Sequence, residues 1–185
     1  MNRRQHGLTL IEMLVTLAVA IVLLAIGIPA FQGMEANNRA AVLAQGLVSA
    51  LTLARTEALG RGVPVAVCPK DAADVPGQVP STTCGTNANW PNGWLVFTDA
   101  AGTVGARDGT DEVVRDFPTP RRTPSITKAP AFVRFGTQGY LSDGTLNVPA
   151  AVNLQLAETG GTSNQTRCVT IASLGQPRTE RKACP

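Results

Sequence analysis

Between Leu8 and Phe31 the chain is apolar at nearly every position, with only Thr9, Glu12 and Thr16 as polar interruptions. A run of this length, apolar on all sides, predicts a helix able to span a bilayer, which takes about 20 residues. Past Pro29 the pattern becomes one-sided. Ala40, Leu43, Leu47, Leu51, Ala54 and Ala58 recur at intervals of three and four, while Arg39, Gln45, Ser49, Thr52 and Arg55 lie mostly off that stripe. Gly60 and Gly62 close the helix and Pro64 forbids its continuation. A single helix from Leu8 to Leu59 would measure about 75 Å at 1.5 Å per residue.

Beyond the helix the pattern is that of short strands. Val63 to Cys68, Trp94 to Thr98, Glu112 to Phe117, Phe132 to Phe135, Thr145 to Val148, Val152 to Leu156, Val169 to Ser173 and Arg178 to Ala183 are expected strands. Residues 69–91 form a Pro/Gly/Thr-rich loop. Thr119 to Pro130, with its prolines and basic residues, reads as a second loop. The fold class is α+β: one long N-terminal helix whose apolar stripe is covered by an antiparallel sheet, or by two. Thirteen prolines, eighteen glycines and few aromatics suit short strands and turns better than a helical bundle.

Glu12 is the costly residue. A carboxylate inside a membrane-length apolar run costs roughly 2.5–3.5 kcal/mol on insertion scales, and such residues tend to be functional. The order of parts also differs from a secretory signal, where a small-residue cut follows the apolar core. Here Gly7 precedes it, after a short basic head containing Arg3 and Arg4. This arrangement resembles the class III signal of type IV prepilins. The resemblance implies cleavage by prepilin peptidase between Gly7 and Leu8, N-methylation of Leu8, and retention of the apolar segment. It also implies that Glu12 meets the N-terminal amine of a neighbouring subunit during assembly, and that Pro29 loosens the helix. A plain signal anchor and a secretory signal cut near Ala30 are the competing readings. N-terminal sequencing separates them.

The implied organisation is a leader at 1–7, a membrane and filament-stem segment at 8–31, an amphipathic half-helix at 32–60, and a globular β domain at 61–185. Removing Arg3 and Arg4 lowers the formal charge of +3 by two, to +1, too small to imply a partner. The distribution is more informative: Arg121, Arg122, Lys128, Arg134, Arg167, Arg178, Arg181 and Lys182 all lie in the last third. Arg3 and Arg4, ahead of the apolar run, place the C-terminal domain outside the inner membrane.

Four cysteines in an exported domain argue for disulfides. Three connectivities are possible; the local pairs Cys68–Cys84 and Cys168–Cys184 are favoured. For the second pair, a turn centred near Gly175 and Gln176 gives a hairpin with arms of equal length, setting the cysteines opposite each other near its open end. The wide spacings, and a sole histidine at His6, speak against zinc. No cofactor is expected. No grouping suits catalysis either, because no Ser/His/Asp set, Cys/His pair or phosphate-cradling loop is present. Asp108-Gly109-Thr110-Asp111-Glu112 lacks the alternating ligands of a calcium loop and reads as a turn.

Leu51-x-x-Ala54-Arg55-x-Glu57-Ala58, followed by Gly93-Trp94-x-Val96-Phe97-x-Asp99, resembles the GspH/FimT group of minor pilins and pseudopilins. Trp94 and Phe97 are expected in the core. The resemblance implies a type IV pilin-like fold with a terminal disulfide-closed hairpin, other pilins as partners through the N-terminal helix, and passage from inner membrane to pilus. FimT-type pilins that take up DNA carry Gly-Arg-x-Arg in this hairpin; here the stretch is Gly175-Gln176-Pro177-Arg178. Arg178, Arg181 and Lys182 are therefore candidate contacts to double-stranded DNA, independent of its sequence and salt-dependent. Alternation along a strand would put Arg178, Glu180 and Lys182 on one face and Arg181 on the other. The functional expectation is a minor type IV pilin active in assembly. The alternatives are a minor pseudopilin of type II secretion and a DNA-receptor pilin of transformation.

Overall fold

The computed structural model describes residues 9–118, 125–145, 149–157 and 166–185, without the side chains of residues 29 and 30. Helix α1 runs from Leu10 to Arg61. It begins at Thr9, whose hydroxyl accepts the amide of Glu12 (3.3 Å) and whose carbonyl accepts the amide of Met13 (3.2 Å). It ends where Gly62 takes φ 66° and donates to the carbonyl of Ala58, a left-handed stop that suits glycine. Residues 1–36 and 37–185 form separate compact units.

In the first unit the helix presents large apolar side chains on every side, among them Leu14, Leu17, Ile21, Leu24 and Ile28, all exposed. Its length and composition suffice to cross a membrane.

In the second unit, Ala40, Leu43, Ala44, Leu47, Ala50, Leu51, Ala54 and Ala58 are buried, and the alanines let the sheets approach the helix closely. The described strands are β1 (Val65–Pro69), β2 (Trp94–Thr98), β3 (Val113–Phe117), β4 (Ser125–Thr127), β5 (Val133–Phe135), β6 (Ala151–Ala157), β7 (Arg167–Ala172) and β8 (Pro177–Glu180). They form two four-stranded antiparallel sheets, ordered β3-β2-β1-β5 and β4-β6-β7-β8. Val65, Val67, Val96 and Phe135 of the first sheet, with Leu154, Leu156, Val169 and Ile171 of the second, pack on the helix stripe. On the other face of the first sheet Ala66, Cys68, Leu95 and Phe97 form a second small cluster, with Cys84, Val113 and Phe132 packed against it. Trp94 thus belongs to the main core and Phe97 to the second cluster.

Two expectations need correction. Ser125–Thr127 is a strand within the segment read as a loop, because Ile126 pairs with Leu156 and buries its side chain in the core. The terminal hairpin turns earlier than expected. Gly175 donates to Ala172 (2.8 Å) at φ 76°, so Ser173-Leu174-Gly175 is the loop, and Cys168 pairs with Glu180 instead of Cys184. The expected strand Thr145 to Val148 lies mostly outside the described residues.

Candidate functional site: stem helix and C-terminal hairpin

Glu12 is the third helical residue of α1, with Thr9 as its cap. Thr9-Leu10-Ile11-Glu12 therefore has the spacing of a capping box, of which the threonine half is formed. The N-terminal end of a helix also favours negative charge. Sequence reasoning treated Glu12 only as an assembly acid, although the Thr-x-x-Glu signal was present. Among the described residues no side-chain partner meets its carboxylate. Gly7 and Leu8 lie outside the described residues. α1 is continuous through position 29.

The disulfides Cys68–Cys84 (Cα–Cα 5.5 Å) and Cys168–Cys184 (5.1 Å) serve different tasks. The first ties the long loop to β1, beside Lys70. That lysine is fully buried yet satisfied, since its ammonium meets Asp74 and lies 3.0 Å from Asp116. The second pins residues 181–185 across the outer face of the second sheet. Cys184 donates its amide to Gln155 Oε1 of β6 (3.0 Å), and Lys128, just past β4, donates to the Cys184 carbonyl (2.9 Å). The cysteines do not close a symmetric hairpin; the tail doubles back over the sheet.

Hairpin β7–β8 lies along α1 within the globular unit. Its tip meets Arg55, whose Nε donates to the Gly139 carbonyl (3.0 Å), and a Cβ at Gly175 would overlap that carbonyl oxygen. At the open end Arg167 donates to Asn37 Oδ1 (2.7 Å). The glycine of Gly175-x-x-Arg178 is thus required by the turn and by close packing.

The basic residues of the last third separate into distinct groups. Arg134 donates to Asp99 Oδ2 (2.5 Å) beneath the β2–β3 loop, and burial raises the Asp99 carboxyl, with the Gly105 amide and Arg134 pulling the other way. Asp111 accepts the amides of Ala100 and Ala101, so its carboxylate organises that loop; among the described residues no cluster suits a metal. Lys128 and Arg167 serve the contacts above, and Arg121 and Arg122 lie outside the described residues. Arg178, Arg181 and Lys182 are exposed. Arg178 and Lys182, with Asn153, Thr170, Gln176 and Glu180, line a groove of about 480 Å³ on the outer face of the second sheet. Glu180 lies 2.5 Å from Lys182, which holds its carboxyl below the usual range. β8 ends at Glu180, so Arg181 and Lys182 follow the strand and do not continue it.

Residues 43–175 match the family model described as type II transport protein GspH, and residues 2–28 match the prokaryotic N-terminal methylation motif. The chain belongs to the GspH family. Its members are minor pilins and pseudopilins, structural proteins and not enzymes. The methylation motif implies processing by prepilin peptidase and assembly with other pilins, and it accords with anchoring in the inner membrane. Two crystal forms of the type IV minor pilin FimU from Pseudomonas aeruginosa share the fold. One is 16% identical at TM-score 0.54, covering 80% of this chain and 93% of that one. The other is 18% identical at TM-score 0.51, covering 77% and 95%. A search among curated proteins finds no match. The GspH match stops at Gly175, so β8 and the tail that carries Arg178, Arg181 and Lys182 lie beyond it.

Proposed function

We propose that this GspH-family protein is a minor type IV pilin, cut between Gly7 and Leu8 and methylated on Leu8, that helps start or extend the filament. The observation that carries this reading is a helix apolar on every side from Leu10 to Phe31, bearing one acid in that run, Glu12, at its third position. The globular unit faces the periplasm before assembly, and the stem then packs among other stems. Glu12 pairs there with the amine of a neighbour, which offsets the cost of a carboxylate in an apolar medium. Two substitutions separate this charge pair from helix capping. Glu12→Gln keeps the side-chain capping group and removes the charge. We expect Glu12→Gln and Glu12→Ala to be processed normally and to be missing from sheared filaments. Incorporation of Glu12→Gln at the parent level would leave capping as the role of this residue and remove the charge pair.

The pilus reading is preferred to a type II secretion pseudopilus because the fold it shares is that of a minor pilin, FimU. Deleting the gene should lower surface pili and leave protein secretion intact; the reverse pattern assigns it to secretion. A second reading rests on exposed Arg178 and Lys182 beside a polar groove: contact with duplex DNA through its phosphates. Glu180 within the same group limits the local positive field. Gel-shift titration at two salt concentrations should show binding that weakens with salt and with Arg178→Ala. Absence of binding at low salt removes this reading.

A further inference from the structure

Arg167 is 8% exposed, and its Nε has no hydrogen-bond partner. Its one described hydrogen bond goes to Asn37, a neutral side chain, and among the described residues no carboxylate pairs with it. A buried guanidinium without a counter-ion is costly. A second arginine increases that cost. Cys168 pairs with Glu180 on the last rung of the β7–β8 ladder; Arg167 precedes Cys168 and Arg181 follows Glu180, which leaves both arginines at the same end of the hairpin. Like charges so placed repel. Burial, and then the charge of Arg181, lower the pKa of Arg167. Two cations held together with an unused buried donor form half of an anion site.

Its position points to the anion. Asn37 opens the globular unit and follows Phe31, the end of the apolar run, by six residues. On the membrane reading of residues 8–31, six residues of chain span at most about 20–22 Å even when fully extended, which limits how far Asn37 can lie from the apolar segment. The headgroup layer adds about 5–7 Å to each side of the hydrocarbon core. A recessed arginine suits a phosphate on a flexible glycerol stalk better than the wide backbone of a duplex.

We propose that Arg167 and Arg181 receive the phosphate of an anionic phospholipid headgroup, holding the stem-side end of the globular unit on the leaflet until the subunit leaves the bilayer. This rests on the reading of residues 8–31 as a membrane segment.

The test uses the full chain in dodecyl maltoside micelles, which carry no phosphate, and follows the melting midpoint as phosphatidylglycerol is added. The parent should gain several degrees, and Arg167→Met and Arg181→Ala should each abolish the gain. Without lipid, Arg167→Met should melt no lower than the parent, because it removes an unpaired buried charge. Arg181→Ala, at an exposed position, keeps the test decisive if Arg167→Met does not fold. No gain in the parent, or a gain that survives both substitutions, overturns the proposal. An equal gain from inorganic phosphate or a short DNA duplex overturns the assignment to a headgroup. Loss of the chain from the membrane fraction would instead strike the membrane reading itself, so the two failures are distinguishable.

Discussion

Gly175 shows how one residue can carry two demands. It needs a left-handed φ for the turn and no side chain for the carbonyl of Gly139. Gly175→Ala should cost at least about 1–2 kcal/mol from backbone conformation alone, and the overlap adds to it. Urea melting of the solubilised chain would measure this, and an unchanged midpoint would contradict it. Arg134 makes a second residue-scale case. Arg134→Met leaves Asp99 buried without its cation, with an expected loss of about 3–5 kcal/mol. The pH dependence has a definite sign. A carboxyl whose pKa is raised by folding binds its proton more tightly in the folded chain, so stability falls as pH rises through that raised pKa. Arg134 opposes the rise, so its removal should steepen the fall, and the deficit of Arg134→Met should shrink in acid. A deficit that grows in acid would refute this.

At the scale of elements, legibility followed the strength of local pattern. β2 was expected at Trp94 to Thr98 and occurs there, because an apolar run bounded by Gly93 and Asp99 has few alternatives. The amphipathic half of α1 was equally plain in its repeat of Ala and Leu. β4 was hidden because one buried residue, Ile126, makes it a strand, and its partner lies far along the chain in β6. The hairpin was recognised, but its turn was set two residues late. Pro177 opens the edge strand, where a missing amide is tolerated. Arg167 was counted only among the basic residues of the last third, because nothing local shows that β7 lays it against Asn37. Thr9 was passed over although its capping spacing was visible. The second disulfide pins a tail that is also held by the hydrogen bonds of Cys184 to Gln155 and of Lys128 to the Cys184 and Pro185 carbonyls. Cys168→Ala with Cys184→Ala should cost about 3 kcal/mol, the value for a loop of about 15 residues. It should also free residues 181–185, read as faster amide exchange at Cys184→Ala; retained protection there would show that Gln155 and Lys128 suffice.

For the whole molecule, the division between the two units follows their solvents. The first unit exposes apolar surface in every direction, which suits a bilayer or a bundle of like stems and not water. The second buries its apolar stripe beneath two sheets and is crossed by two disulfides, suited to an oxidising compartment. The family is structural. One continuous helix, Leu10–Arg61, serves both units, and we propose that the mature chain begins at Leu8. The most direct measurement is the N-terminal sequence and intact mass of the chain recovered from sheared filaments. The account predicts a single species beginning at N-methylated Leu8, with both disulfides formed. A chain beginning at Met1 or near Phe31, or one absent from filaments while present in the membrane, would contradict it.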